Sequence, residues 1–313
     1  MIELQEGEAT AVAASPAIHC LELTKRYGTT LALAGLTMTV PRGEVFGFLG
    51  PNGAGKTTAV KLLLGLLLPT AGEGWILGRS IRDIEARRRV GYLPEHFRYQ
   101  PWLSGREVLG LHCRLAGLAR ATWPEEIDRA LDLVGLRDSA DRRVRSYSKG
   151  MQQRLGLAVA LLGSPELVIL DEPTSALDPV GRHDVRQVIH HLRDRGTTVF
   201  LNSHLLTEVE MVCDRVAMID RGRVIATGTL KELLGGHSVR IRLTGLDRPQ
   251  RASLARFGGV EDDGEWITLH GLVPDRVPEL VAEVVAMGGR VYAVEPRQQS
   301  LEERFLQLLG REG

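Results

Sequence analysis

At 313 residues the chain has room for about two domains, each burying its own core. With 43% apolar, 25% charged and 5% aromatic residues, its make-up is that of an ordinary folded protein and excludes a disordered or fibrous one. The 39 basic and 39 acidic residues balance to a formal charge of zero, without the basic excess of a chain that grips nucleic acid, so no nucleic acid partner is expected. Residues 1–17, rich in Ala and Glu around Pro16, read as a disordered N-terminal tail. Strand-like segments follow at Ile18–Leu23, Leu36–Val40 and Val45–Leu49. The third is a continuous apolar run between Gly43 and Gly50, as expected of a strand buried on both faces. A helical pattern runs from Lys56 to Leu68 and stops at Pro69.

From about Pro94 to Leu162 the chain reads as mostly helical, with Pro124 in a first turn beside Glu125, Glu126 and Asp128. Leu167–Leu170, Thr197–Leu201 and Val216–Ile219 are further buried strands alternating with helices, which argues for an α/β fold on a largely parallel sheet. Beyond Gly235 and Gly236 the style changes. Val239, Ile241 and Leu243 alternate as a half-buried strand, Trp266–Leu269 makes a second, and Arg290–Val294 another. Between them Val277–Met287 is an amphipathic helix closed by Gly288 and Gly289. Ser300 with Glu303 forms a capping box that opens a last helix through Leu309. This α+β tail resembles a small ferredoxin-like domain. Cys20, Cys113 and Cys213, odd in number and far apart, read as reduced packing thiols. The apolar stretches Leu62–Leu68 and Leu155–Gly163 fall short of the ~18–20 residues of a membrane helix. No positive charge precedes Lys25, so no secretory signal is expected.

Gly50-Pro51-Asn52-Gly53-Ala54-Gly55-Lys56-Thr57 fits G-x-x-x-x-G-K-[ST] between a buried strand and a helix. Chance supplies that pattern in roughly one chain in a hundred of this length, and the strand-loop-helix context leaves a plain Gly-rich turn little room. Gly50, Asn52, Gly53, Gly55 and Thr58 belong to the expected phosphate cradle, whose N–H groups point inward beside the positive end of a helix. Lys56 reaches the β- and γ-phosphates, and the Thr57 hydroxyl ligates Mg²⁺. A second constellation, Leu167-Val168-Ile169-Leu170-Asp171-Glu172-Pro173, delivers two carboxylates at the C-terminal end of a strand, where α/β sheets place ligands. Beside a P-loop, Asp171 is expected to hold Mg²⁺ and Glu172 to orient or deprotonate the attacking water.

The segment between these motifs identifies a family. Ser146-Tyr147-Ser148-Lys149-Gly150-Met151-Gln152-Gln153-Arg154 resembles the signature motif of ABC ATPases, usually Leu-Ser-Gly-Gly-Gln. Ser175-Ala176-Leu177-Asp178 resembles the D-loop, Asn202-Ser203-His204 the switch histidine, and Tyr92-Leu93-Pro94-Glu95 the Q-loop, while Tyr27 stands where an aromatic stacks on adenine. The resemblance implies a cassette over 18–235 with a helical subdomain at about 95–162. Ser148 and Gly150 would then open a helix onto the γ-phosphate of ATP held by a second copy, and Asp178 would join that shared site. His204 would bond both the γ-phosphate and the catalytic carboxylate, so Glu172, His204 and Lys56 form the expected catalytic set. Thr57, Asp171 and Glu95 are the expected Mg²⁺ set. Two departures stand out. Glu95 replaces Gln, adding charge, and Lys149 and Met151 replace Gly and Gln. Lys149 either adds charge near the phosphate or points into solvent; Tyr27 either stacks on the base or packs on the sheet edge.

The ending Ser300–Leu309, after the small domain, resembles ATPases of bacterial ABC-2-type exporters. This implies an ATP-dependent homodimer at the cytoplasmic face of the membrane, driving a separate transmembrane permease subunit. Residues 236–313 are expected to regulate or dimerise rather than catalyse. Phe97, Tyr99, Trp102 and Leu103 crowd aromatics into a chain poor in them; they either fill the helical core or line a groove for a membrane subunit. A non-transport ABC ATPase would bring long coiled coils or a second cassette, and a small-molecule P-loop kinase would not carry the signature, D-loop and His204 in order.

Overall fold

The structure, a computed structural model, describes residues 15–175, 177–235, 238–297 and 300–310. In chain order it begins with β1 (Ile18–Tyr27), β2 (Thr30–Val40), β3 (Val45–Leu49), α1 (Lys56–Leu63), β4 (Ala71–Ile76), β5 (Arg79–Ser80) and β6 (Val90–Leu93). The helical stretch follows as α2 (Gly105–Leu115), α3 (Trp123–Leu133) and α4 (Lys149–Ala160). Then come β7 (Leu167–Asp171), α5 (Pro179–Asp194), β8 (Thr198–Ser203), α6 (Leu206–Val212), β9 (Arg215–Asp220), β10 (Arg223–Thr229) and α7 (Leu230–Leu233). The last part is β11 (Ser238–Thr244), α8 (Arg248–Ser253), β12 (Gly259–Asp262), β13 (Trp266–His270), α9 (Val277–Ala286), β14 (Arg290–Arg297) and α10 (Leu301–Leu308).

Three sheets result. The central one has the order β10-β9-β3-β8-β7-β6, parallel from β9 to β6 with β10 antiparallel at one edge. Every residue of β3 and β7 is buried, which is why both read as unbroken apolar runs. Gly47 lets α6 approach β3: a Cβ there would lie 2.9 Å from methyl groups of Val209 and Val216. A second sheet, β2-β1-β4-β5, is antiparallel and packs on the first through a core that includes Phe46, Phe48 and Phe200. The third, β12-β13-β11-β14, is antiparallel and has its own core of Val239, Ile241, Leu243, Ile267 and Leu269 under Leu280 and Val284.

Three expectations need correction. Ala17, assigned to the tail, is fully buried, and its N–H donates to the Val40 carbonyl, which ties it to the end of β2 just ahead of β1. Residues 1–14 of that tail lie outside the described residues. Helix α1 ends at Leu63 and not at Leu68, because Gly65 takes φ +63° and closes it. Leu66 N–H donates to Lys61 O and Gly65 N–H to Leu62 O, the paired bonds of a Schellman motif. Finally, α10 does not join the core of the third sheet. Leu301 and Phe305 pack into the core that also holds α2 to α6. Among the described residues no helix is long and apolar enough to cross a membrane.

Candidate nucleotide site

Strand register assembles the site. Leu49 lies opposite Ser203, Asp171 opposite Asn202, and Leu93 opposite Leu170. Gly50, Glu172, His204 and Glu95 therefore leave the sheet at one edge, the ligand edge of a parallel sheet. The P-loop between β3 and α1 has no room for side chains at two of its glycines. A Cβ on Gly50 would sit 2.3 Å from Ile219 O, and one on Gly55 2.4 Å from Ala32 O. Lys56 is only 8% exposed. Its Nζ donates to Gly50 O at 2.7 Å and to Pro51 O at 3.3 Å, so the ammonium is drawn over the loop. Burial lowers its pKa, and the nearby carboxylates of Glu172, Asp171 and Glu95 oppose that shift. On the loop Asn52 and Gly53 are exposed, and in the first turn of α1 Thr57 is exposed and Thr58 half-buried.

Asp171 is 2% exposed and accepts a hydrogen bond from Asn202 Nδ2. Burial raises its carboxyl pKa, the Asn202 bond opposes this, and Glu95 and Glu172 add to it. Glu172, 8% exposed, has φ +52°, a left-handed backbone that costs a non-glycine residue about 1–3 kcal/mol and clusters at functional sites. Its N–H donates to Asn202 O at 2.9 Å, which holds the turn. His204 Nδ1 lies 2.7 Å from Glu172 Oε2, so the imidazole faces the buried carboxylate directly. A carboxylate at this edge is placed to act as a general base on water. Thr57, Asp171 and Glu95 are oxygen donors of the type Mg²⁺ takes, and few enough to leave positions for water and phosphate. Among the described residues no group of three or more His, Cys, Asp or Glu forms a metal cage.

The other expected residues have local partners of their own. Ser148 is the N-cap of α4 and accepts from Met151 N–H at 3.2 Å; Gly150 sits in the first turn and Lys149 is exposed. No hydrogen bond or ion pair among the described residues joins Ser148 or Gly150 to the P-loop of the same chain. Tyr147 is buried and donates to Ser139 O at 2.7 Å; Gly105 makes room, since a Cβ there would lie 2.4 Å from the Tyr147 hydroxyl. Asp178 caps α5 through Gly181 N–H at 2.8 Å. Tyr27, 46% exposed at the end of β1, has Lys25 Nζ 5.1 Å from its ring centre. Glu95 is exposed, with His96 Nε2 at 3.8 Å. Two contributors escaped the reading of the sequence. Asn202 was read only as a neighbour of His204, yet it orients Asp171; its signal was a polar residue ending a buried strand. Gln153 Nε2 donates to Pro173 O at 3.0 Å, tying α4 to the loop after Glu172.

The ABC transporter family model matches residues 33–175. An uncharacterized ABC transporter ATP-binding protein of Nostoc sp. is 41% identical over 280 residues, covering 88% of this chain and 82% of its own. Nod factor export ATP-binding protein I of Ralstonia nicotianae is 36% identical over 318 residues, 98% of each chain. A solved ATP binding subunit of an ABC transporter superposes with a TM-score of 0.64 at 31% identity, covering 69% of this chain and 91% of that one. The chain belongs to the ABC transporter family, as an ATP-binding subunit that hydrolyses ATP.

Proposed function

We propose that this subunit powers export through a separate membrane-spanning subunit, working as a dimer of two copies at the cytoplasmic face of the membrane. The observation that carries the chemistry is the buried Glu172 carboxylate 2.7 Å from His204 Nδ1, on the sheet edge that also bears Lys56. Glu172 takes the proton of the attacking water, Lys56 and the P-loop N–H groups hold the β- and γ-phosphates, and His204 bonds the γ-phosphate. Thr57, Asp171 and Glu95 would hold Mg²⁺, which when bound neutralises phosphate charge.

Ser148 caps α4 and, among the described residues, bonds nothing in its own P-loop, which supports a site shared between copies, with the N-terminus of α4 on the partner's γ-phosphate and Asp178 nearby. Tyr27 stacks on the base with the ring face not taken by Lys25. The full-length similarity to a Nod factor export protein supports export. For the membrane subunit, Trp102 offers the anchor: it is 65% exposed beside Pro101, Arg143 and Arg145. Phe97, Tyr99 and Leu103 are half-buried against the helical core, which supports a core-filling role for those three. The cassette spans 18–235 and its helical subdomain about 95–162. Within 236–313 the strand–helix–strand–strand–helix–strand sequence and the order β12-β13-β11-β14 support a ferredoxin-like regulatory or dimerisation domain. Co-expression with candidate membrane proteins tests the proposal. A membrane protein should co-purify with the chain and be lost with Trp102→Ala. Stable association with ribosomes or DNA, and none with a membrane protein, would sink it.

A further inference from the structure

Helix α6 starts two residues after His204 and has only seven residues, too few to hold a position without neighbours. Three neighbours fix it. On its inner side Val209 and Val212 are buried against β3. Toward α5, the buried carboxylate of Glu208 lies 2.8 Å from Arg186 Nη1 and 3.9 Å from Arg182 Nη1, and Arg182 Nε donates to Leu177 O at 3.1 Å. The third neighbour comes from the far end of the chain. Glu210 accepts the N–H of Leu301, and Leu301 and Phe305 bury into the core that contains Val209 and Val212. At its start α10 meets the third sheet through an exposed ion pair between Arg297, which ends β14, and Glu303 at 3.0 Å.

We infer that α10 is a positioning element for His204. It holds α6, and through α6 the imidazole, against Glu172, so that any movement of the third sheet reaches the hydrolytic site. This rests on the reading of His204 as a group that acts on the γ-phosphate. Glu210, Leu301 and Phe305 are the positioning residues. They lie outside the residues assigned to the nucleotide, so their loss should alter turnover and not ATP affinity. A misplacement of about 1 Å at a catalytic group costs roughly 10²-fold in rate, which bounds the effect.

The test compares full-length chains. Phe305→Ala should lower kcat for ATP by roughly tenfold, within that bound, while the Kd for ATP stays at the parental value and Phe305→Leu restores the rate. Glu210→Ala, which opens no core cavity, should lower kcat in the same direction. In a His204→Ala background neither change should have a further effect, because residues that act through one group are not additive. Equal falls in both backgrounds, or an ATP affinity that drops in step with kcat, would overturn the inference while leaving the site reading intact. His204→Ala at the parental rate would remove the site reading itself and this inference with it.

Discussion

Gly55→Ala perturbs the P-loop in two separable ways. Gly55 has φ +105°, a conformation that costs a residue with a side chain about 1–3 kcal/mol. The new Cβ would also stand 2.4 Å from Ala32 O and 2.9 Å from Leu33 Cδ2. Ala32 is the extra residue of a bulge in β2, held between the paired Leu31 and Leu33, so the overlap adds a packing cost of about 1–3 kcal/mol. Together these give about 2–6 kcal/mol. Gly53 is the control: its φ is +82° but a Cβ there meets nothing within 4 Å, so Gly53→Ala carries only the strain, about 1–3 kcal/mol. If binding requires the native loop shape, the extra cost at Gly55 weakens ATP by a further factor of roughly 5–150. Urea unfolding midpoints and ATP titrations of the three chains supply both numbers. A Gly53→Ala chain as damaged as Gly55→Ala would show that contact with β2 does not shape the loop.

The shared site predicts that Ser148→Arg slows hydrolysis while each chain still binds ATP; mixing it with Lys56→Ala should restore no more than one working site per dimer, and lost ATP binding by Ser148→Arg alone would contradict sharing. Glu95→Gln removes one of three carboxylates near Lys56, so ATP titrated without Mg²⁺ should bind more tightly than to the parent; an unchanged Kd would place Glu95 outside the field of the nucleotide. A chain ending at Gly235 should still fold and bind ATP, yet unfold at lower urea. It loses Leu301 and Phe305, each worth about 1.5–3 kcal/mol of burial. An unaltered midpoint would mean that α10 contributes nothing to the cassette.

The parts of the site that are contiguous in sequence were legible because their chemistry is local. A glycine-rich turn between a strand and a helix announces the P-loop, and Asp171-Glu172 follows an apolar run that can only be a buried strand. Their meeting at one edge depends on the register of β3, β8 and β7, which alternates too little to be read. The sheet β2-β1-β4-β5 escaped for a related reason: β4, Ala71-Gly72-Glu73-Gly74-Trp75-Ile76, carries two glycines and β5 only two residues. The pattern Lys56–Leu68 reads as one helix because leucine outweighs a single glycine in periodicity, whereas Gly65 supplies the left-handed turn that ends it. For α10 the capping box and the Leu301, Phe305 spacing disclosed an amphipathic helix. An apolar stripe does not say which core it covers, and this one crosses to another.

Glu172→Gln tests the central claim most directly. The substitution keeps the shape of the side chain and removes the basic oxygen beside His204, leaving Lys56, Thr57 and the loop untouched. ATP turnover should fall by about 10²–10⁴-fold, the usual contribution of a positioned acid–base group. ATP affinity should hold at the parental value, and an ATP-bound dimer should persist on size-exclusion chromatography. A Glu172→Gln chain that hydrolyses ATP at the parental rate would show that the proton leaves by another route and that the site has been built around the wrong residue.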